Sequence, residues 1–203
     1  MSKVTKAAKE LVRMDRKVAH DAAKHRDKPS VKLLGKLSEG ADQPPLLLLG
    51  AGTLVVGALL RQPTILRTGA RMLASEIVAT GMKTVLKRSV DRTRPKKAIE
   101  TGKHKFEAGD SKEHDQSSFP SGHTAGAVAV AGALAQGAPV RGAAAYALAG
   151  GVAAMQLPRG KHYLLDTVAG AAIGFVAQRA ASAAVRVTER VIVRAMGRRG
   201  RSA

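Results

Sequence analysis

The stretch Pro120-Ser121-Gly122-His123-Thr124-Ala125-Gly126-Ala127-Val128-Ala129-Val130 joins two kinds of sequence. Its first residues suit a helix start: Ser121 can cap the helix or donate its hydroxyl to an anion, and Gly122 leaves the backbone open to close approach. The residues after His123 are small and apolar, so a helix is predicted from near Ser121 to Gly137. The first N–H groups of such a helix have no partner within it and carry the positive end of its dipole. The junction is therefore an anion site.

Outward from this point lie four more apolar segments: 44–61, Pro63 to about Leu86, Pro139 to Leu157, and about Tyr163 to Val185. Each approaches the roughly 20 residues a helix needs to cross a bilayer. Pro63, Pro139 and Pro158 stand at the joints. Arg67, Arg71, Glu76 and Lys83 interrupt the second segment and Arg179 the fifth, and these charges are expected to face the bundle interior or the interface. Gly122 with Gly126, and Gly170 with Gly174, have the spacing that lets helix backbones meet. The fold expected is all-α: a membrane-embedded helical bundle of about five long helices over 44–185. A water-soluble, Ala-rich bundle is the other reading of the same spans.

Flanking segments are basic. Residues 1–43 form an N-terminal basic amphipathic segment. Its first 36 residues hold eleven Lys/Arg, with Val4, Ala8, Leu11, Val18 and Ala22 at helical spacing, and Pro29 is expected to end that helix. Such a helix suits an anionic lipid surface or solvent alike. Residues 87–118 form a polar loop with nine Lys/Arg and six acids, read as the active-site loop. The tail 186–203 carries Arg186, Arg190, Arg194 and Arg198 in one stripe.

Composition narrows the function. The 203 residues hold 34 Lys/Arg against 15 Asp/Glu, a net charge of +19, and suit one domain. With no Cys, disulfide scaffolds, thiolate zinc sites and cysteine nucleophiles are excluded. The charged start holds no apolar signal region, so no cleavable signal peptide is expected. The charge admits nucleic acid, anionic lipid or a phosphate substrate. Three Phe and two Tyr, and no recognised nucleic-acid motif, place nucleic acid last.

Three clusters carry chemistry. They are Lys87-x6-Arg94-Pro95, Pro120-Ser121-Gly122-His123, and Arg159-Gly160-Lys161-His162-Tyr163-Leu164-Leu165-Asp166. If the second to fifth helices run antiparallel, all three meet at one end of the bundle. Lys87, Arg94 and Arg159 would neutralise phosphate oxygens. His162 and Asp166 share a helix face, so the carboxylate can bond one imidazole nitrogen and leave the other free as nucleophile. His123 is then the general acid for the leaving oxygen. His104 and His114 lack a recognised metal-ligand spacing, and His20 and His25 fit a solvated helix face.

This trio resembles the signature of the type 2 phosphatidic acid phosphatase / vanadium haloperoxidase superfamily: Lys-x6-Arg-Pro, Pro-Ser-Gly-His, then Ser-Arg-x5-His-x3-Asp. The resemblance runs from Lys87 to Asp166. It implies a membrane lipid phosphatase that needs no metal or other cofactor and passes through a phosphohistidine on His162. Asp166 would orient that histidine and His123 would act as acid. Lys87, Arg94, Ser121 and Gly122 would contact phosphate. In the haloperoxidase branch, vanadate occupies the same pocket.

One departure stands out. The family's Ser-Arg falls on Met155 and Gln156, and the expectation is that Arg159 supplies the missing cation. The reading is thus a metal-independent hydrolase of a lipid phosphate or diphosphate monoester, contacting anionic membrane lipids and not nucleic acid. Its expected place is the bacterial cell (inner) membrane. The alternatives are a vanadium-dependent haloperoxidase-like protein and a non-enzymatic basic protein that binds membrane or nucleic acid. The excess of Lys/Arg on the N-terminal segment and the 87–118 loop points the site toward the cytoplasm.

Overall fold

Prolines set the helix starts. In the computed structural model, which describes residues 3–199, Pro occupies the first turn of five helices, where its missing N–H costs nothing. The helices are α1 (Lys3–Ala23), α2 (Pro29–Ser38), α3 (Gln43–Leu59), α4 (Pro63–Lys87), α5 (Pro95–Thr101), α6 (Gly122–Ala135), α7 (Pro139–Met155) and α8 (Leu164–Arg199). Pro29 was expected to end the first helix. Instead α1 stops at Ala23, and Pro29 opens a second.

The five predicted spans correspond to α3, α4, α6, α7 and α8. The last runs on to Arg199, so the Arg stripe expected in a separate tail continues one helix as far as that residue; residues 200–203 lie outside the described residues. Among the described residues, one helix, over Leu164–Ile192, is long and apolar enough to cross a membrane, and α2 with α3 forms a second such stretch if their 53° bend is one broken span.

At the centre lies α6, against α4, α7 and α8. Ala125, Ala129 and Ala133 are buried there because their side chains leave the partner helices room. A Cβ on Gly170 or Gly174 would run into the carbonyl oxygens of Ser121 and Ala125, so α8 lies backbone to backbone on α6. Gly126 is likewise pressed by Leu46 and Glu76, whereas at Gly122 a Cβ would meet only Lys83 at ordinary contact distance. Glu76 is buried, as expected for an ionisable group inside a bundle. Arg179 is not: it faces outward, with its guanidinium 4.9 Å from the Phe175 ring centroid.

A departure from the all-helical reading lies in the polar loop. Strands β1 (Val90–Arg92) and β2 (Phe106–Ala108) pair antiparallel, with Val90 opposite Ala108 and Arg92 opposite Phe106. This ribbon fixes the chain between α4 and α5 and turns Arg92 inward. At the far end of the bundle Arg67 of α4 pairs with Glu189 of α8 at 3.1 Å. The two helices therefore run antiparallel, and the end of α4 meets the start of α8.

Candidate active site

His162 follows the turn that leaves α7. The backbone N–H groups of Lys161 and His162 both donate to the Gln156 carbonyl, which folds this turn back before α8 begins. The His162 ring is buried, with Nδ1 2.7 Å from the carbonyl oxygen of Ser118. A carbonyl only accepts, so Nδ1 carries the proton and the Nε2 lone pair is left for chemistry. Burial pushes the imidazole pKa down to about 4 against the opposing Asp166 carboxylate, so the ring is neutral near neutral pH.

Asp166 reaches His162 differently from the expected direct bond. Its Oδ2 lies 3.7 Å from Nδ1, beyond hydrogen-bond range. Ser118 intervenes: its carbonyl holds the imidazole while its hydroxyl donates to Asp166 at 2.7 Å. The Tyr163 N–H donates to the same carboxylate at 2.9 Å, and Arg92 donates to its other oxygen at 2.5 Å.

The first cluster converges on the Ser117 carbonyl and meets the third at the Lys161 carbonyl. Lys87 Nζ donates to the Ser117 carbonyl at 2.6 Å, and Arg94 donates to the carbonyls of His114 at 2.9 Å and Lys161 at 3.1 Å. A third Arg94 contact, to Ser117, is 3.5 Å long. Both side chains keep N–H groups beyond these bonds, because an ammonium has three and a guanidinium five.

The second cluster divides its work. Ser121 is fully buried, and its hydroxyl caps α6 by accepting from the Thr124 N–H at 3.4 Å. The cap uses the oxygen as acceptor and leaves the hydroxyl proton to be donated. The Ser121 N–H donates to the Asp166 carbonyl, tying the start of α6, with Gly122, to the start of α8. His123 Nε2 lies 3.2 Å from a carboxylate oxygen of Glu39, in the turn Glu39–Ala41 that joins α2 to α3.

Glu39 gathers more of the site. Its other oxygen accepts from Lys161 Nζ at 2.7 Å and from Arg159, whose second terminal nitrogen donates to Ser38 Oγ at 2.7 Å. Arg159 thus stands at the rim with His123. Gln156, where the motif has Arg, is buried; its Nε2 donates to the Val152 carbonyl and its Oε1 has no partner. Burial raises the Glu39 carboxyl, but Arg159, Lys161 and His123 together outweigh it and hold the pKa at about 2. Glu39, Asp42 and His123 also present ligand atoms within 4.8 Å of one another, but the two cations on Glu39 oppose a metal ion there.

Sequence reasoning missed Arg92, Asp15 and Glu39. Arg92 is buried between Asp166 and Asp15 of α1, each at 2.5 Å, with Tyr163 and Phe106 rings 4.0 and 4.5 Å from its guanidinium carbon. No alternation along the chain singled Arg92 out, because Asp91, Thr93 and Arg94 around it are buried as well. Asp15 is an acid four residues from both Leu11 and Ala19, and it is the stripe of Asp15, Ala19 and Ala23 that α1 buries. Leu11, Met14 and Val18 of the same helix are exposed. His114 contributes a carbonyl to the site, while its side chain is exposed.

The family model described as "PAP2 superfamily" matches residues 68–189. Among solved structures, the crystal structure of Aquifex aeolicus LpxE is similar to this chain with a TM-score of 0.60 and 18% identity, covering 81% of this chain and 92% of that one. No curated protein matches the chain.

Proposed function

The chain belongs to the PAP2 superfamily, and we propose that it is a membrane-embedded phosphatase that hydrolyses a lipid phosphate monoester or diphosphate without a metal. The observation that carries this is the state of His162: a neutral ring whose Nδ1–H is held by the Ser118 carbonyl, beside Lys87 and Arg94 at the neighbouring Ser117 carbonyl.

His162 Nε2 attacks phosphorus while the bond from phosphorus to the lipid oxygen breaks, and protonated His123 donates its proton to that leaving oxygen. A phosphohistidine results. Water then attacks the phosphorus, His123 takes the water's proton, and the phosphorus–nitrogen bond breaks to release phosphate. Lys87 and Arg94 carry the charge that builds on the phosphoryl oxygens. Arg159 and Lys161 hold the same anion at the rim, where phosphate competes with the Glu39 carboxylate.

Two features support a lipid substrate. An apolar groove of about 530 Å³, lined by Leu34, Leu37, Leu46, Val130, Leu148 and Met155 among others, reaches Ser38, next to Glu39. The outer faces of α3 and α7 expose Leu48, Leu59, Val140 and Leu148 at 73–85%, more apolar surface than water favours. From Asp166 to Glu189, α8 is about 35 Å long, close to the roughly 30 Å hydrocarbon core of a bilayer. With α3, α4, α6, α7 and α8 as spans, α1 lies at the interface with Leu11, Met14 and Val18 toward anionic lipid.

Phosphate release from a panel of lipid phosphates in detergent, with chelator present, tests this reading. Turnover by the wild-type chain that vanishes in His162→Ala is expected. Full activity in that variant would overturn it.

A further inference from the structure

A second cavity, of about 890 Å³, lies on the other side of α2 from the apolar groove. Leu34 and Leu37 of that helix line the groove, whereas Lys32, Gly35 and Lys36 line the second cavity. These are two faces of one helix, set by the spacing of three and four residues. The facing wall is the start of α5, with Lys96 and Lys97, and the floor is the turn that holds Arg159 and Lys161. That floor is pinned: Lys96 N–H donates to the Gly160 carbonyl at 2.9 Å, and the bare Gly35 leaves room for Arg159, whose Nε would lie 3.1 Å from a Cβ there.

Charge distinguishes this cavity. Eight Lys/Arg line it against four acids, and among the described residues Lys36 and Lys96 take part in no ion pair, unlike Lys32 with Asp27 and Lys97 with Asp115. The phosphate-binding rim needs only Arg94, Arg159 and Lys161. The remaining cations lie beyond it and away from the apolar groove. They hold no substrate phosphate already bound at His162, yet a concave surface with this excess concentrates anions.

We propose that this cavity is a subsite for a second anionic group on the substrate headgroup, so that the preferred substrate is a lipid bearing a phosphate or comparable anion in addition to the one that is removed. The inference rests on the phosphatase reading above. The chain of the lipid lies along the Leu34 and Leu37 face, the scissile phosphate meets Arg159 and Lys161, which donate to Glu39 in this structure, and the second anion crosses the end of α2 to Lys36 and Lys96.

The test compares dodecyl-glycerol carrying one phosphate with dodecyl-glycerol carrying two, in neutral detergent. The wild-type chain is expected to turn over the doubly phosphorylated lipid with a kcat/KM about tenfold higher, the scale of one or two charge-assisted contacts. The Lys36→Ala and Lys96→Ala double variant should lose that preference while keeping turnover of the singly phosphorylated lipid. Equal turnover of both lipids by the wild-type chain, or a preference untouched in the double variant, overturns the subsite. Micelles of the singly phosphorylated lipid doped with phosphatidylserine form a further arm. If the lysines matter only there, the cavity contacts the lipid surface and not the substrate, and the proposal fails. Binding of the two lipids to His162→Ala, read by calorimetry, reports the subsite without turnover. Tighter binding of the doubly phosphorylated lipid that depends on Lys36 and Lys96 supports the subsite even if the phosphatase reading falls, and equal binding overturns it.

Discussion

Arg92 donates to Asp166 across 2.5 Å, with both side chains almost wholly out of solvent. The same guanidinium donates to Asp15 at 2.5 Å, so one buried cation joins α1 to the first turn of α8. Asp15 in turn accepts from the Leu165 N–H at 3.0 Å. The orientation of the His162 region therefore depends on a helix outside residues 68–189.

Removing Arg92 leaves two buried carboxylates facing one another. Arg92→Gln should lower unfolding stability by about 3–5 kcal/mol, the cost of breaking a buried charged pair. Asp15→Asn should cost less, because Arg92 keeps Asp166. Chemical denaturation of both variants checks the order, and kcat in Asp15→Asn should fall while KM changes little if α1 acts by orienting His162.

Ser118 separates Asp166 from the imidazole. Ser118→Ala keeps the carbonyl that holds Nδ1–H and removes only the hydroxyl on Asp166, so a loss of about 1–3 kcal/mol in stability is expected, with phosphatase activity lowered less than in Asp166→Asn. Denaturation and phosphate release, measured side by side, decide this. A larger activity loss in Ser118→Ala than in Asp166→Asn would show that the hydroxyl touches substrate.

The depressed pKa of His162 has a definite sign. A histidine with a folded pKa of about 4 stays neutral where an unfolded one, near 6.5, takes up a proton. The unfolded state then binds more protons, so the contribution of His162 to stability is full above about pH 6.5 and falls as the pH drops toward about 4. Imidazole nitrogen chemical shifts should report one neutral tautomer, protonated on Nδ1, down to about pH 5. A midpoint near 6.5 would contradict burial of the ring.

Arg159 and Gln156 compete for the role of the motif's missing cation. Arg159→Ala should reduce kcat/KM by about tenfold or more, the scale of a charge-assisted phosphate contact. Gln156→Ala should act mainly on stability, because its amide bonds only the Val152 carbonyl. Equal, mild effects on phosphate release would remove Arg159 from the site.

Glu39 stands on His123, Arg159 and Lys161, the groups that would meet phosphate in the proposed reaction. Its carboxyl, held at about 2, stays ionised at every working pH, so titration does not free the site. Glu39→Gln removes the competing charge and should tighten inhibition by vanadate about tenfold. Weaker inhibition would mean that Glu39 chiefly orients His123.

Much of the fold was legible along the chain because its cues are local. Prolines mark helix starts, and Ala and Gly over 122–135 announce a helix that others can approach closely. Spacing alone put His162 and Asp166 on one helix face, but α8 begins only at Leu164, so His162 stands in the turn before it and only Asp166 lies on the helix. The direction of a side chain in space is not a local property. Leu11, Met14 and Val18 have helical spacing, yet α1 buries the neighbouring stripe, because Asp15 finds Arg92 some 77 positions along the chain.

By itself, the sequence determined the five long helices and the three clusters of cations, histidines and Asp166. Tertiary structure decided which partners those residues take: Ser118 between His162 and Asp166, Arg92 between Asp15 and Asp166, and Glu39 across His123, Arg159 and Lys161. Helix starts depend on neighbours within a few residues, whereas buried charges must find whichever opposite charge the folded chain brings within reach.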